Sequence, residues 1–285
     1  MSVKEAEVAD HGLSDIDRLS TSERERLQHR LWMSAGREIE RQSQDAGSDV
    51  RNVAFDTDSW MVNNGAHIPD LNIGHFGNSG ESREALARYV EMLGGLPGFF
   101  WGAEQLPEEY AAKLGLTYLG AFDHMVYLPD RLKPSGARDG SVSQVTSPDQ
   151  LAIARSILSR TFDGLPEAEL ERVMGSNVLK DEHRVPVYLM HTGGGIAVGT
   201  GTVVRNEDIA GIWNMAVLPG EQGHRYGRRL LGDMMAREGE AGTSVIHLIA
   251  TEMGKERLYA PAGFKTLNSA HGYVLGGQNL HETTS

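Results

Sequence analysis

Apolar residues along this chain fall into short runs, separated by stretches with helical spacing and by turns rich in glycine. From Thr21 to Gln42 the spacing predicts a helix. Ser22 can cap it, Glu25 stands three residues later, and Leu27, Leu31 and Ile39 form an incomplete apolar stripe. Short runs follow at Ser59 to Val62 and Leu71 to His75, then a helix from Glu81 to Leu93. Phe99-Phe100-Trp101 reads as a buried strand, Pro107 to Leu114 as a short helix and Thr117 to Leu128 as a strand. Asp130 to Gly140, with Pro134, two glycines and several charges, reads as a linker. Beyond it the pattern predicts helices over Ser147 to Leu158 and Glu167 to Met174. Strands are predicted over Val185 to Met190, Ile196 to Arg205, Ile212 to Val217 and Val245 to Ala250, with a helix from Tyr226.

The most informative stretch is Gly211 to Arg229, GIWNMAVLPGEQGHRYGRR. An apolar strand passes through Pro219 into a Gln-Gly-His-Arg-Tyr-Gly turn and then into a helix. Such a turn aims backbone N–H groups at an anion, because the first turn of a helix has unpaired donors and the positive end of the peptide dipole. Successive N–H groups in the turn also form a concave nest. His224, Arg225, Arg228 and Arg229 surround it with positive charge.

This stretch resembles the acyl-CoA loop of the GNAT N-acetyltransferase superfamily, in which Gln or Arg is followed by Gly three positions on and by Gly or Ala two further. Val217-Leu218-Pro219 matches the phrase that precedes the loop, Gln222 the first motif position and Gly227 the last; Arg225 stands where the family has its middle glycine. A second phrase, Leu258-Tyr259-Ala260-Pro261-Ala262-Gly263-Phe264, is similar to the family's Leu-Tyr-x-x-x-Gly-Phe, and the element order from Val142 to Gly276 fits throughout. The resemblance implies an α/β GNAT fold, a mixed, splayed central sheet flanked by helices. It also implies an acyl-CoA co-substrate, acetyl-CoA most simply, cradled by Gln222, Gly223, His224, Arg225, Tyr226, Gly227 and Arg228. By position, Met215, Ala216 and Val217 would pair with the pantetheine arm. Tyr259 matches the family's proton donor to the departing thiolate. Glu252, at the end of a predicted strand, is the best placed carboxylate for a general base, although a charge at a helix start accounts for it equally well. Asn214 would orient the amine or a water. The implied reaction is direct attack of a small-molecule amine on the thioester.

Arg225 brings alternatives. A side chain there costs about 1 kcal/mol if φ is positive, and an arginine either adds a bond to phosphate or obstructs the site. A donor borne on a carrier protein or a charged transfer RNA, or a non-catalytic ligand-binding module, are the rival readings.

The remaining properties narrow the class. There is no cysteine, hence no disulfide framework, thiolate metal site or cysteine nucleophile. The chain opens on acidic, polar text and carries no apolar run of spanning length, so a cytoplasmic protein with no membrane partner is expected. The net charge of −12 disfavours nucleic acid in general, leaving a charged transfer RNA as the exception to consider. Residues 1–140 carry 14 Lys and Arg against 23 Asp and Glu, which suggests an acidic wall suited to a cationic amine. His67, His75 and His124, with Asp70 and Asp123, lack the spacing of a helical metal pair, and no metal is expected. Trp60, Phe100 and Trp101 read as core, and His247 as a satisfied interior histidine.

Tyr110-Ala111-Ala112-Lys113-Leu114-Gly115-Leu116 echoes the Tyr-to-Gly-Phe segment of the second half. The expectation is a tandem chain: a tail over 1–15, a degenerate, shortened GNAT-like unit over 16–130, a linker over 131–140, an acyl-CoA-binding GNAT domain over 141–276 and a tail over 277–285. No counterpart of the glycine turn is legible in the first half. A homodimer is left open.

Overall fold

The computed structural model describes residues 16–45, 52–68, 71–129, 141–162, 165–181 and 183–276. The expected tails and linker lie outside these residues, as do Pro69 and Asp70. Among the described residues the strands are β1 (Asn52–Phe55), β2 (Trp60–Asn63), β3 (Ile73–Phe76), β4 (Gly98–Gly102), β5 (Leu116–Tyr127), β6 (Val142–Gln144), β7 (Val187–His191), β8 (Ala197–Asn206), β9 (Ile209–Val217), β10 (Val245–Ala250) and β11 (Lys265–Leu275). The helices are α1 (Thr21–Asp45), α2 (Gly80–Met92), α3 (Glu108–Lys113), α4 (Pro148–Thr161), α5 (Glu167–Val173) and α6 (Tyr226–Glu240).

All these strands join one mixed sheet in the order β1-β2-β3-β4-β11-β5-β10-β9-β8-β7-β6. Each half of the chain builds antiparallel strands, then crosses by a helix to a parallel neighbour: β3, α2, β4 in the first half and β9, α6, β10 in the second. Each half then passes through a helical segment to a last strand. Those last strands are exchanged. β5, from the first half, pairs with β10 from Ile246↔Tyr127 to Ala250↔Asp123. β11, from the second, pairs with β4 from His271↔Gly102 to Leu275↔Gly98. The two also pair with each other along their lengths, so the halves are interlocked.

Alternation along the strands assigns the two faces of the sheet. On β7, Tyr188 and Met190 pack with Leu230, Leu231, Met234 and Met235 of α6, while Val187 and Leu189 pack with Leu151, Ala154, Ile157 and Leu158 of α4. Helix α4 starts cleanly because the Ser147 hydroxyl accepts from the Gln150 N–H at 3.3 Å and Pro148 needs no donor. Helix α1 covers the face opposite α6. Its Trp32, Met33 and Ala35 cluster with Trp60, Val62 and Ala270. The Trp60 indole donates to the Trp32 carbonyl at 2.9 Å. Gly36 allows this approach, since a Cβ there would lie 2.5 Å from the Trp60 ring. Strand β1 was not legible in the sequence; its four residues gain their extended form by pairing with β2.

Candidate acyl-transfer site

Strands β9 and β10 pair in parallel at Val245↔Ile209, Ile246↔Ala210 and His247↔Gly211, and there the pairing ends. Beyond that point β9 stays with β8 as far as Val217↔Gly199, and β10 stays with β5 as far as Ala250↔Asp123. A gap opens between two strands that should be neighbours. The expected splay falls at this place.

Within the gap β9 carries a bulge. Thr200 faces Ala216 and Thr202 faces Trp213, so Asn214 and Met215 together oppose Gly201. Asn214 takes the left-handed conformation, with φ 54°, which asparagine tolerates better than most residues. It is exposed, Met215 and Val217 are half-buried, and Ala216 is buried. Met215 fits because Gly201 has no side chain: a Cβ there would stand 2.8 Å from its sulfur.

Past Pro219 the chain turns into α6. Gln222, Gly223, His224 and Arg225 are all exposed. The Gln222 side chain reaches back to the Val217 carbonyl at 3.4 Å, so it braces the turn. Gly223 has φ 84° and Arg225, the residue before the helix, φ 65° and ψ 12°. The left-handed backbone that a glycine would adopt freely is therefore kept with an arginine in place. No side chain caps the helix, and its first internal bond runs from the Arg229 N–H to the Arg225 carbonyl at 3.1 Å. The amides of Tyr226, Gly227 and Arg228 precede that bond and make no helical one. Arg228 and Arg229 are both exposed, and Arg229 Nη2 donates to the Ser141 hydroxyl at 2.8 Å.

Glu252 opens a composite helical segment that runs through one α-turn, a π-turn at Lys255–Tyr259 and a 3-10 turn to Ala262. π-turns are rare and concentrate at functional sites. Tyr259 ends this one, its ring set edge-on to Phe264 at 6.0 Å and packed beside the α6 core. Burial pushes its phenol up to about 12, so it carries its proton at neutral pH. Glu252 is the first helical residue after the Thr251 cap. Its side chain is 71 % exposed, with Lys255 3.9 Å away, which matches the dipole reading at least as well as a base.

One group of residues was not singled out as functional by the sequence. On the face covered by α1, His124 Nε2 and His247 Nδ1 are 3.1 Å apart and buried. His247 is thus partnered, as expected, but by another histidine. Trp32 stacks on His75 at 4.7 Å and tilts against His124 at 5.2 Å. Burial pushes His247 down to about 4 and His75 to about 3, and holds His124 well below its usual value. Trp32 Nε1, His75 Nδ1, His124 Nδ1 and Trp213 Nε1 are buried without a hydrogen-bond partner. Among the described residues no His, Asp or Glu group is arranged to hold a metal ion. No helix among them is long and apolar enough to cross a membrane.

Comparison with known proteins agrees with this geometry. Residues 183–266 match the family model described as an acetyltransferase (GNAT) domain. The chain therefore carries a GNAT domain, and its fold is that of the superfamily. Among solved structures it is similar to a GCN5-related N-acetyltransferase from Kribbella flavida, with TM-score 0.57 and 13 % identity over 86 % of this chain and 97 % of that one. A putative GNAT-family acetyltransferase from Novosphingobium aromaticivorans gives TM-score 0.55 and 13 % identity over 85 % and 97 %. A tandem GNAT protein from the clavulanic acid biosynthesis pathway gives 0.50 and 17 % over 85 % and 88 %. No curated protein sequence matches the chain.

Proposed function

We propose that this protein transfers an acyl group, acetyl most simply, from acyl-CoA to a small-molecule amine by direct attack. The observation that carries the reading is the gap between β9 and β10, which leads from the end of pairing at His247↔Gly211 to the uncapped start of α6. A pantetheine arm would lie along Met215, Ala216 and Val217, and the pyrophosphate would take the amides from Gly223 to Arg228. Gly227 supports this assignment. An added Cβ there would meet nothing in the protein closer than 3.7 Å, so internal packing does not demand the glycine, whereas close approach of a ligand would.

In the reaction the amine nitrogen forms a bond to the thioester carbon and the carbon–sulfur bond breaks. Tyr259 gives its proton to the leaving sulfur, the proton lost by the amine passes to solvent, and the tyrosinate takes a proton back from solvent. Asn214 lies at the bulge where amine and thioester would meet, and Glu252, exposed beyond the end of β10, is a less direct acceptor of that proton. Most of the acceleration would come from holding the two reactants in one groove.

The test is release of free CoA thiol from acetyl-CoA across a panel of amines. Transfer to at least one amine, falling about 100-fold in Tyr259→Phe with unchanged acetyl-CoA affinity, supports the reading. Full activity in Tyr259→Phe removes the tyrosine from the mechanism. Absence of transfer to every amine by a protein that binds acetyl-CoA would turn the reading toward a non-catalytic module.

A further inference from the structure

We propose that the first half of the chain positions the donor strand of the second. Its agent is the loop joining β2 to β3, locked by the positioning residue Asn72, which buttresses Ala216 and Leu218 at the splayed end of β9. The proposal rests on the acyl-transfer reading of the gap.

The need for a buttress follows from the splay. Beyond His247↔Gly211, β9 keeps a strand neighbour on one edge only, β8. The other edge has to stay open if a pantetheine arm is to pair with it, so no ladder holds the strand there. Further support must come from side chains packed against its face.

Leu218 is the joint of the donor site. Its amide donates to the Val198 carbonyl at 2.9 Å, and its carbonyl accepts from the Glu221 N–H at 2.8 Å. It therefore links the strand end, where the arm would lie, to the turn that would hold the pyrophosphate. Its side chain is buried with Ala216 in the cluster beneath α4.

The first half contributes to that same cluster. Ala66, Ile68 and Leu71 of the β2–β3 loop are buried in it beside Ala216 and Leu218. The loop is also tied to α5 of the second half. The His67 N–H donates to Glu169 Oε2 at 3.3 Å, and His67 Nδ1 lies 3.6 Å from Oε1 of the same carboxylate.

A loop supports a strand only if it is stiff, and asparagines make this one so. Asn72 is fully buried and has every hydrogen-bonding position of its amide filled. Its Oδ1 accepts from the Asn64 N–H at 3.0 Å and the Ala66 N–H at 3.3 Å. Its Nδ2 donates to the Ala66 carbonyl at 2.8 Å and the Pro97 carbonyl at 2.7 Å. Asn63 Oδ1 accepts from the Gly65 N–H at 2.8 Å, and Asn64 Nδ2 donates to the Leu71 carbonyl at 2.6 Å. These side chains satisfy backbone groups that no ladder reaches, and a fully satisfied buried network is rigid. Rigidity passes to Leu218 through the packed Ile68 and Leu71. A strand end held in shape before its ligand arrives loses less freedom on binding, which raises affinity.

The experiment measures hydrogen exchange of the Leu218 amide in the ligand-free protein, beside calorimetric titration of acetyl-CoA. It compares wild type with Ile68→Ala, Asn72→Ala and Leu86→Ala. Leu86 lies in the separate cluster beneath α2, so its truncation controls for a general loss of stability. Ile68→Ala and Asn72→Ala should each quicken exchange at Leu218 about tenfold and weaken acetyl-CoA binding about tenfold. Leu86→Ala should move neither, because an amide at a splayed strand end exchanges by local opening. Ile68→Ala leaves the amide network whole and decides the matter if Asn72→Ala does not fold. Unchanged exchange at Leu218 in Ile68→Ala, equal shifts in Ile68→Ala and Leu86→Ala, or quickened exchange with unchanged acetyl-CoA affinity would overturn the proposal. Quickened exchange confined to the loop variants, in a protein that does not bind acetyl-CoA, would keep the buttress and remove the acyl-transfer reading.

Discussion

The hydroxyl of Ser82, in the first turn of α2, donates a 2.6 Å hydrogen bond to Oδ2 of Asp58. Ser79, the cap of the same helix, donates to that oxygen at 3.2 Å, and a Cβ on Gly77 would stand 2.3 Å from it. The β3–α2 turn is the topological counterpart of the β9–α6 turn. In the first half a carboxylate of the protein itself sits at the helix start; in the second half no side chain caps it. Asp58→Ala should cost about 2 kcal/mol in urea unfolding, through lost bonds to a charged acceptor. It should leave acetyl-CoA affinity unchanged. A large loss of that affinity would place the nucleotide in the wrong half.

Arg225 holds a left-handed backbone with φ 65°. For a residue with a Cβ this conformation costs about 1–2 kcal/mol, and the extra freedom of glycine in the unfolded chain offsets about half of the gain on replacement. Arg225→Gly should therefore raise stability by about 0.5 kcal/mol, whereas Arg225→Ala, which keeps the strain, should not. Thermal melts of the two variants beside wild type decide this; equal shifts in both would show that the turn is not strained.

The buried imidazoles of His75, His124 and His247 make stability depend on pH. Burial depresses all three, His75 to about 3 and His247 to about 4, whereas in the unfolded chain histidine titrates near 6.5. Below about pH 6.5 the unfolded chain binds protons that the folded one refuses, so stability falls as pH falls. The slope is about 1.4 kcal/mol per pH unit for each histidine, and the full contribution is present above the unfolded value. Urea midpoints between pH 6.5 and 5 should show this decline, with a shallower slope in His124→Gln. A flat profile in that window would mean that the three rings are hydrated.

Arg205 grips Glu238 with two bonds, Nε to Oε2 at 2.7 Å and Nη2 to Oε1 at 2.5 Å, and Thr243 adds a third at 3.0 Å. The Glu238 side chain is fully buried. Arg205→Met should cost about 3–5 kcal/mol by leaving that buried carboxylate without its cation and with the Thr243 bond only, and Glu238→Leu added to it should recover much of the loss. Equal stability of the single and double variants would contradict this account.

Much of the second half was legible because its signals are local. Val245 to Ala250 and the start at Tyr226 fall where the apolar pattern and the glycine turn put them. The α4 start was placed at Ser147, its cap, one residue before the helix begins at Pro148. In the first half, the helix echo at Tyr110 precedes β5 as Tyr259 precedes β11, but the exchange of those strands is a long-range pairing with no local signature. The Gly77–Gly80 turn escaped notice because its anion partner, Asp58, is distant in sequence. Asn214 was marked for its place on the strand, while its bulge arises from the register against β8. His247 was read as an interior histidine, and its pairing with His124 depends on the exchanged β5 lying beside β10.

The most direct test of the central claim is calorimetric titration of acetyl-CoA into the purified protein. The account predicts a single site per chain, retained in Asp58→Ala and weakened about tenfold in a Gly227→Val variant that fills the approach to the α6 amides. Absence of binding, two sites per chain, or binding indifferent to Gly227→Val would contradict it.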